Sequence, residues 1–137
     1  MPAFRASVVL IVLVAAVLGA GTGYYAARQE SGRQALEYRD ITRTLRTLDL
    51  DNRLSALRAM RRGQLSAEEI ALWERSAIAL LQLIEVDDVT AASASVPVLR
   101  QLADTLAAYM RDFPESQFSD PQYKAAVSRI TAFRERG

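Results

Sequence analysis

Cysteine and histidine are both absent from this chain of 137 residues. Without thiols there can be no disulfide, no thiolate nucleophile and no cysteine metal site. Without imidazole the commonest general base and the commonest zinc ligand are missing too. Glycine is sparse, and no glycine-rich phosphate loop follows Gly23. The single lysine, Lys124, does not form an S-x-x-K motif with Ser119. The 16 acidic residues include no pair whose spacing marks an acid–base couple. Glu85, Asp87 and Asp88 are close in sequence but lack the shaped, glycine-turned loop of a calcium site, so they read as a solvated helix end. The expectation is a protein that is not an enzyme and holds no cofactor or metal.

What the chain does have is one long uncharged run. Val8 to Ala27, VVLIVLVAAVLGAGTGYYAA, is twenty residues without a charge. At helical rise that length spans about 30 Å, the thickness of a bilayer's hydrocarbon core. It exceeds the apolar core of a secretory signal and offers no clean A-x-A cleavage site; the small-residue sites near Gly19 and Gly21 are the tolerable ones. Tyr24 and Tyr25 suit an interface, with an apolar ring and a wet hydroxyl. The run is therefore read as a retained transmembrane anchor, with signal cleavage as the alternative. Within it Ala15, Gly19, Gly23 and Ala27 recur every four residues, a possible helix-packing face.

Sidedness follows from flanking charge. Arg5 stands alone before the run, while Arg28, Arg33, Arg39, Arg43 and Arg46 follow it within twenty residues. The positive-inside count leans towards a cytoplasmic domain at an inner membrane. The common bacterial layout of a short tail and an exported domain gives the periplasm nearly equal weight.

Charge beyond the run falls in three blocks. Residues 28–62 carry nine arginines and five acids, residues 63–120 three arginines and ten acids, and residues 121–137 four basic residues and one acid. Basic arm, acidic middle and basic tail can neutralise each other by packing, or the arm can attract anionic lipid.

Periodicity is helical throughout, with no strand alternation. Tyr38, Ile41, Leu45 and Leu48 follow 3-4-3 spacing, a seam for a partner or for the core. Leu50, Leu54 and Leu57 fall on the opposite side of the same helix, which should run on through Asp49–Asn52 because no proline or glycine interrupts it. Gly63 suits a left-handed helix end, and Ser66-Ala67-Glu68-Glu69 is a capping box. The helix it opens places Ile70, Trp73, Ala77, Leu80, Leu81 and Ile84 on one face and Leu72, Leu83 and Val86 on another. That predicts a central helix, with Trp73 in the core or at a hairpin contact rather than serving as a ligand platform. A small-residue linker, Thr90 to Ser95, leads to Pro97 at the first turn of a third helix. Its stripe is Val98, Leu99, Leu102, Leu106, Tyr109, Met110 and Phe113, and Pro114 ends it. Ser119-Asp120-Pro121 opens the last helix, with Tyr123, Val127, Ile130 and Phe133 facing inward.

The predicted fold is all-α: an N-terminal transmembrane helix, then a small antiparallel bundle or helical-hairpin array of about four amphipathic helices. The expected organisation is a tail and anchor over residues 1–27, a membrane-proximal basic arm over 28–65 and a helical domain over 66–137. Leu102 to Phe118, LADTLAAYMRDFPESQF, resembles the end of a tetratricopeptide-type helix, where an A-x-x-Y stretch runs into an aromatic-Pro-x-Ser turn. The resemblance covers about one-eighth of the chain, lacks the 34-residue period, and implies a helix–turn–helix there but no partner. The phrase GQLSAEEIA is similar to a helix-turn-helix opening, yet its helix is apolar on two sides and the middle block is acidic, so no nucleic acid is expected. The expected function is that of a single-pass, membrane-anchored protein-interaction or bacterial envelope-assembly component. Its partners would be the lipid bilayer and another protein or a homo-oligomer. The alternative is an exported helical binding or inhibitor module released by signal-peptide cleavage.

Overall fold

The computed structural model describes residues 2–63 and 65–135, with side chains from Ala27 onward. Four α-helices, and no strand, occur among the described residues: α1 (Pro2–Arg61), α2 (Ala67–Gln82), α3 (Val96–Asp112) and α4 (Lys124–Thr131). Short 3-10 turns at Gln117–Ser119, Pro121–Tyr123 and Ala132–Arg134 bracket the last helix. The chain divides into two compact units, Met1–Tyr38 and Arg39–Gly137. Helix α1 continues through Asp49–Asn52 without a break, as the absence of proline and glycine there requires. Among the described residues no helix is long and apolar enough to cross a membrane. The run from Val8 lies outside the described side chains except for its last residue, Ala27.

In the first unit the described side chains are exposed. Ser31 Oγ donates to the Ala27 carbonyl at 2.8 Å, and Arg33 lies 3.5 Å from both Glu30 and Glu37. Such one-turn contacts on an open helix surface contribute a few tenths of a kcal/mol each, roughly 0.2–0.5.

The second unit is built on one core. Leu50, Leu54 and Leu57 of α1 meet Ala77, Ile78 and Leu81 of α2, then Leu99, Leu102, Leu106 and Tyr109 of α3, with Val127, Ile130 and Phe133 closing the far side. Side-chain contacts fix the helix directions. Along α1, Arg46, Arg53 and Arg61 reach Leu83, Ser76 and Glu74 of the second helical segment, so α2 runs antiparallel to α1. Asp51, Arg58 and Arg61 meet Gln101, Asp112 and Tyr109, so α3 returns roughly parallel to α1. Helix α4 and its 3-10 extension lie against α3, where Arg134 donates to Asp104 at 2.9 Å. This is the up-and-down order that short connections favour.

The helix boundaries follow local chemistry. Ser66 caps α2, accepting from the Glu69 N–H at 3.3 Å while Glu69 accepts from the Ser66 N–H at 2.9 Å, a complete capping box. Pro97 sits in the first turn of α3, where its missing N–H costs nothing. Asp120 caps the Pro121–Tyr123 turn by accepting from the Gln122 N–H at 2.9 Å.

Three expectations are corrected. Gly63 does not adopt a left-handed conformation; α1 ends by tightening, with Arg62 and Gly63 N–H donating to the carbonyls three residues back, Ala59 and Met60. Trp73 is not in the core but 42 % exposed. The inner face of α2 is Glu74, Ala77, Ile78 and Leu81, rotated by about one residue from the apolar stripe, because a carboxylate occupies an interior place. For the same reason α2 is not covered on several faces: Leu72 and Leu83 stand open, and α3, buried at Leu99, Leu102, Ala103, Leu106 and Tyr109, takes the central place.

Candidate interaction surface

Helix α1 presents two unlike faces within the second unit. The inner one carries Arg43, Thr47, Leu50, Asp51, Leu54 and Leu57, all buried. Their spacing of three and four keeps them on one side of the helix. At the N-terminal end of this face the Arg43 side chain is only 5 % exposed. Its Nε donates to the Glu85 carbonyl at 2.6 Å, one Nη to Asp40 at 3.0 Å, and the other to Asp88. Asp40 also accepts from Ser95 Oγ at 2.5 Å and from the Ala94 N–H at 2.8 Å. Burial opposes its ionisation, but the hydrogen bonds from Ser95 and Ala94 and the Arg43 charge outweigh that, and its pKa is lowered. These bonds pin the 83–95 connection to α1. The connection carries small and acidic residues and reads as a loose linker in sequence; only the pairing of a buried arginine with it reveals otherwise.

At the other end Arg61 repeats the arrangement. Its guanidinium donates to Glu74 at 2.6 Å, to Glu115 at 2.5 Å and to Tyr109 Oη at 2.9 Å, and lies 4.8 Å from the Phe113 ring centre. Tyr109 in turn donates to Glu74 at 2.7 Å, and the Gln117 N–H donates to the other Glu74 oxygen at 3.0 Å. Burial and the Glu74 carboxylate push the Tyr109 hydroxyl's pKa far up. Arg58 is paired with Asp112, whose pKa that guanidinium lowers. The basic arm thus meets the acidic middle ion by ion, and Asp88, one of three clustered acids near the helix end, is engaged by Arg43 rather than left for a ligand.

The opposite face of α1 has no such partners within the unit. Ile41 is 59 % exposed, Leu45 62 % and Leu48 38 %. Tyr38, at the end of the first unit, is 72 % exposed, so the four-residue seam supplies no core. Leu36, Leu72 and Leu83 are further exposed large apolar residues that periodicity did not single out as surface. Of the proposed anchor face, Ala15, Gly19 and Gly23 lie outside the described side chains, and Ala27 is exposed.

Depressions also mark the described surface. One of about 630 Å³ is lined by Asp104, Ala107, Ser128, Thr131 and Arg134. A smaller one of about 130 Å³ lies between Val89, Val96, Arg100 and Phe133. Neither gathers a nucleophile and a base, and among the described residues no three potential metal ligands lie together. No protein family, curated protein or solved structure matches this chain.

Proposed function

We propose that the chain is a single-pass, membrane-anchored helical protein that acts through protein–protein contact, as an interaction or envelope-assembly component. The anchor rests on the uncharged run from Val8 to Ala27, long enough for a bilayer core. The observation that carries the interaction reading is the Ile41, Leu45 and Leu48 stripe. Three large aliphatic side chains stand in solvent on one face of a helix whose other face already packs into the core and carries ion pairs. Single exposed apolar residues are ordinary, but a stripe at helical spacing is what a binding helix presents.

The test has two arms. Membranes washed with alkaline carbonate should retain the full chain, and its intact mass should include the first 27 residues. Release by the wash together with loss of about 20 N-terminal residues would instead favour an exported module. Crosslinking from those membranes should capture a protein partner with the parent chain and lose it with Ile41→Gln/Leu45→Gln. Equal capture by both would remove the stripe from the interaction.

A further inference from the structure

We infer that residues 87–94 form a lid over the depression beside Phe133, and that Asp40 and Arg43 of α1 are the latch that holds it shut. The lid opens as one piece while the four helices stay folded, and it needs neither the anchor nor a partner on α1. Burial divides the connection between α2 and α3 into fixed ends and a loose middle. Ile84, Val86 and Ser95 are 1 %, 8 % and 0 % exposed, so both ends are held in the core. Between them Asp87, Asp88, Thr90, Ala91, Ala92 and Ala94 are exposed, and only Val89 and Ser93 turn partly inward. The middle therefore buries little apolar surface and gains little from the term that holds the helices together.

The backbone bonds of this middle are short-range. The Val89 N–H donates to the Val86 carbonyl at 3.2 Å, the Ser93 N–H to the Thr90 carbonyl at 3.0 Å, and the Thr90 N–H to Ser93 Oγ at 3.1 Å. Each closes a turn within the connection, so the turns survive when the segment swings away as a body. Among the described residues, the hydrogen bonds that tie 87–94 to another element come from α1. Arg43 donates to Asp88, and Asp40 accepts from the Ala94 N–H at 2.8 Å. The same two side chains grip the hinges: Arg43 Nε donates to the Glu85 carbonyl at 2.6 Å, and Asp40 accepts from Ser95 Oγ at 2.5 Å. Arg43 and Asp40 are themselves joined at 3.0 Å, one turn apart on α1.

A segment with little packing of its own, and with its outside bonds concentrated on one pair of side chains, has two states: latched or free. The two states differ in what they expose. Val89, Thr90 and Ala91 of the lid form one wall of the depression of about 130 Å³, and Val96, Arg100 and Phe133 form the other. Unlatching removes the first wall and leaves an open cleft against α3. Access to that cleft is thus set from α1, at residues 40 and 43.

Hydrogen–deuterium exchange on the full chain in mild detergent reads the lid. In the parent the Val89, Thr90, Ser93 and Ala94 amides should exchange together, ahead of the core amides around Leu81 and Leu106. Arg43→Gln removes the latch; Asp88→Ala removes only the lid's side of it, at a side chain 34 % exposed. Exchange over 87–94 should rise about tenfold or more in Asp88→Ala, the effect of losing one hydrogen bond to a charged group, and further in Arg43→Gln. Exchange around Leu81 and Leu106 should not change in Asp88→Ala. Equal acceleration there would make the latch part of the core and leave no separate lid. Unchanged exchange over 87–94 would show that α1 does not hold it. If Arg43→Gln fails to fold, Asp88→Ala alone decides between these outcomes. Access to the cleft is read separately, because the chain has no cysteine. A thiol reagent should label Val96→Cys faster when Asp88→Ala is added, and equal labelling would remove the cleft from the lid's role.

Discussion

Replacing Glu74 by Ala removes the acceptor at the centre of the Arg61 cluster. Three donors lose it together: an Arg61 Nη at 2.6 Å, the Tyr109 hydroxyl at 2.7 Å and the Gln117 N–H at 3.0 Å. Glu74 is 2 % exposed and Tyr109 fully buried, so water cannot simply take the vacated place. A buried donor left without a partner costs about 1–3 kcal/mol. Arg61 keeps Glu115 at 2.5 Å and can turn towards solvent, which holds the total near the low end of that sum. The expected loss is about 3–5 kcal/mol, the usual cost of breaking a buried ion pair from one side. Tyr109→Phe removes one hydroxyl bonded to a carboxylate and should cost about 1–3 kcal/mol. The double variant should cost less than the two singles added, because the hydroxyl that Glu74→Ala strands is then already gone. Urea unfolding of the full chain in mild detergent, followed by far-ultraviolet circular dichroism, measures all three. A Glu74→Ala loss below about 1 kcal/mol, or strict additivity with Tyr109→Phe, would show that the cluster does not hold the bundle together.

Leu81→Ala, at a fully buried position of α2, should cost about 2–5 kcal/mol, whereas Trp73→Ala, at a residue 42 % exposed, should cost under about 1 kcal/mol; equal losses in the same urea assay would return Trp73 to the core. Asp40 has a folded pKa below its ordinary 3.8, so it binds a proton less readily folded than unfolded. Its stabilisation is therefore present above that ordinary value and drains as pH falls through the lower folded one, so Asp40→Asn should flatten the acid limb of a melting-temperature profile. Tyr109 is the opposite case: its folded pKa lies above the ordinary 10.0, so its contribution is full below that value and is lost as pH rises beyond it. An absorbance titration should find Tyr109 ionising only as the bundle unfolds; early ionisation of all five tyrosines would contradict its burial.

Much of the second unit was legible because the relevant chemistry is local. The capping box at Ser66, the proline in the first turn of α3 and the unbroken passage through Asp49–Asn52 each depend on a few neighbouring residues. The α3 stripe was legible because its buried residues are apolar and evenly spaced. What failed were the places where polar residues go inside. Glu74 reads as surface in a stripe and is 2 % exposed, which turned α2 by a residue and put Trp73 on the wrong side. Arg43 reads as part of a basic arm, but two of its partners, the Glu85 carbonyl and the Asp88 carboxylate, stand more than forty residues away in sequence. No periodicity carries that information, because a buried ion is placed by a partner and not by its own preference.

The same reasoning explains why the α1 seam could be seen but not assigned. An apolar stripe at 3-4 spacing reports that some surface will cover it, and the pattern is identical whether that surface belongs to the same chain or another. Two stripes on opposite sides of one helix make the question sharper, since a four-helix bundle of this size can cover only one. Here the choice goes to Leu50, Leu54 and Leu57, and the reason lies in the residues between them. Arg43, Asp51 and Arg61 share the inner side, and they find partners in the 83–95 connection, in α2 and in α3. A face with its own ionic partners specifies how it docks, whereas Ile41, Leu45 and Leu48 could meet many apolar surfaces equally well. The bundle therefore takes the face it can hold in one geometry. The purely apolar face of Ile41, Leu45 and Leu48 is left uncovered by the bundle.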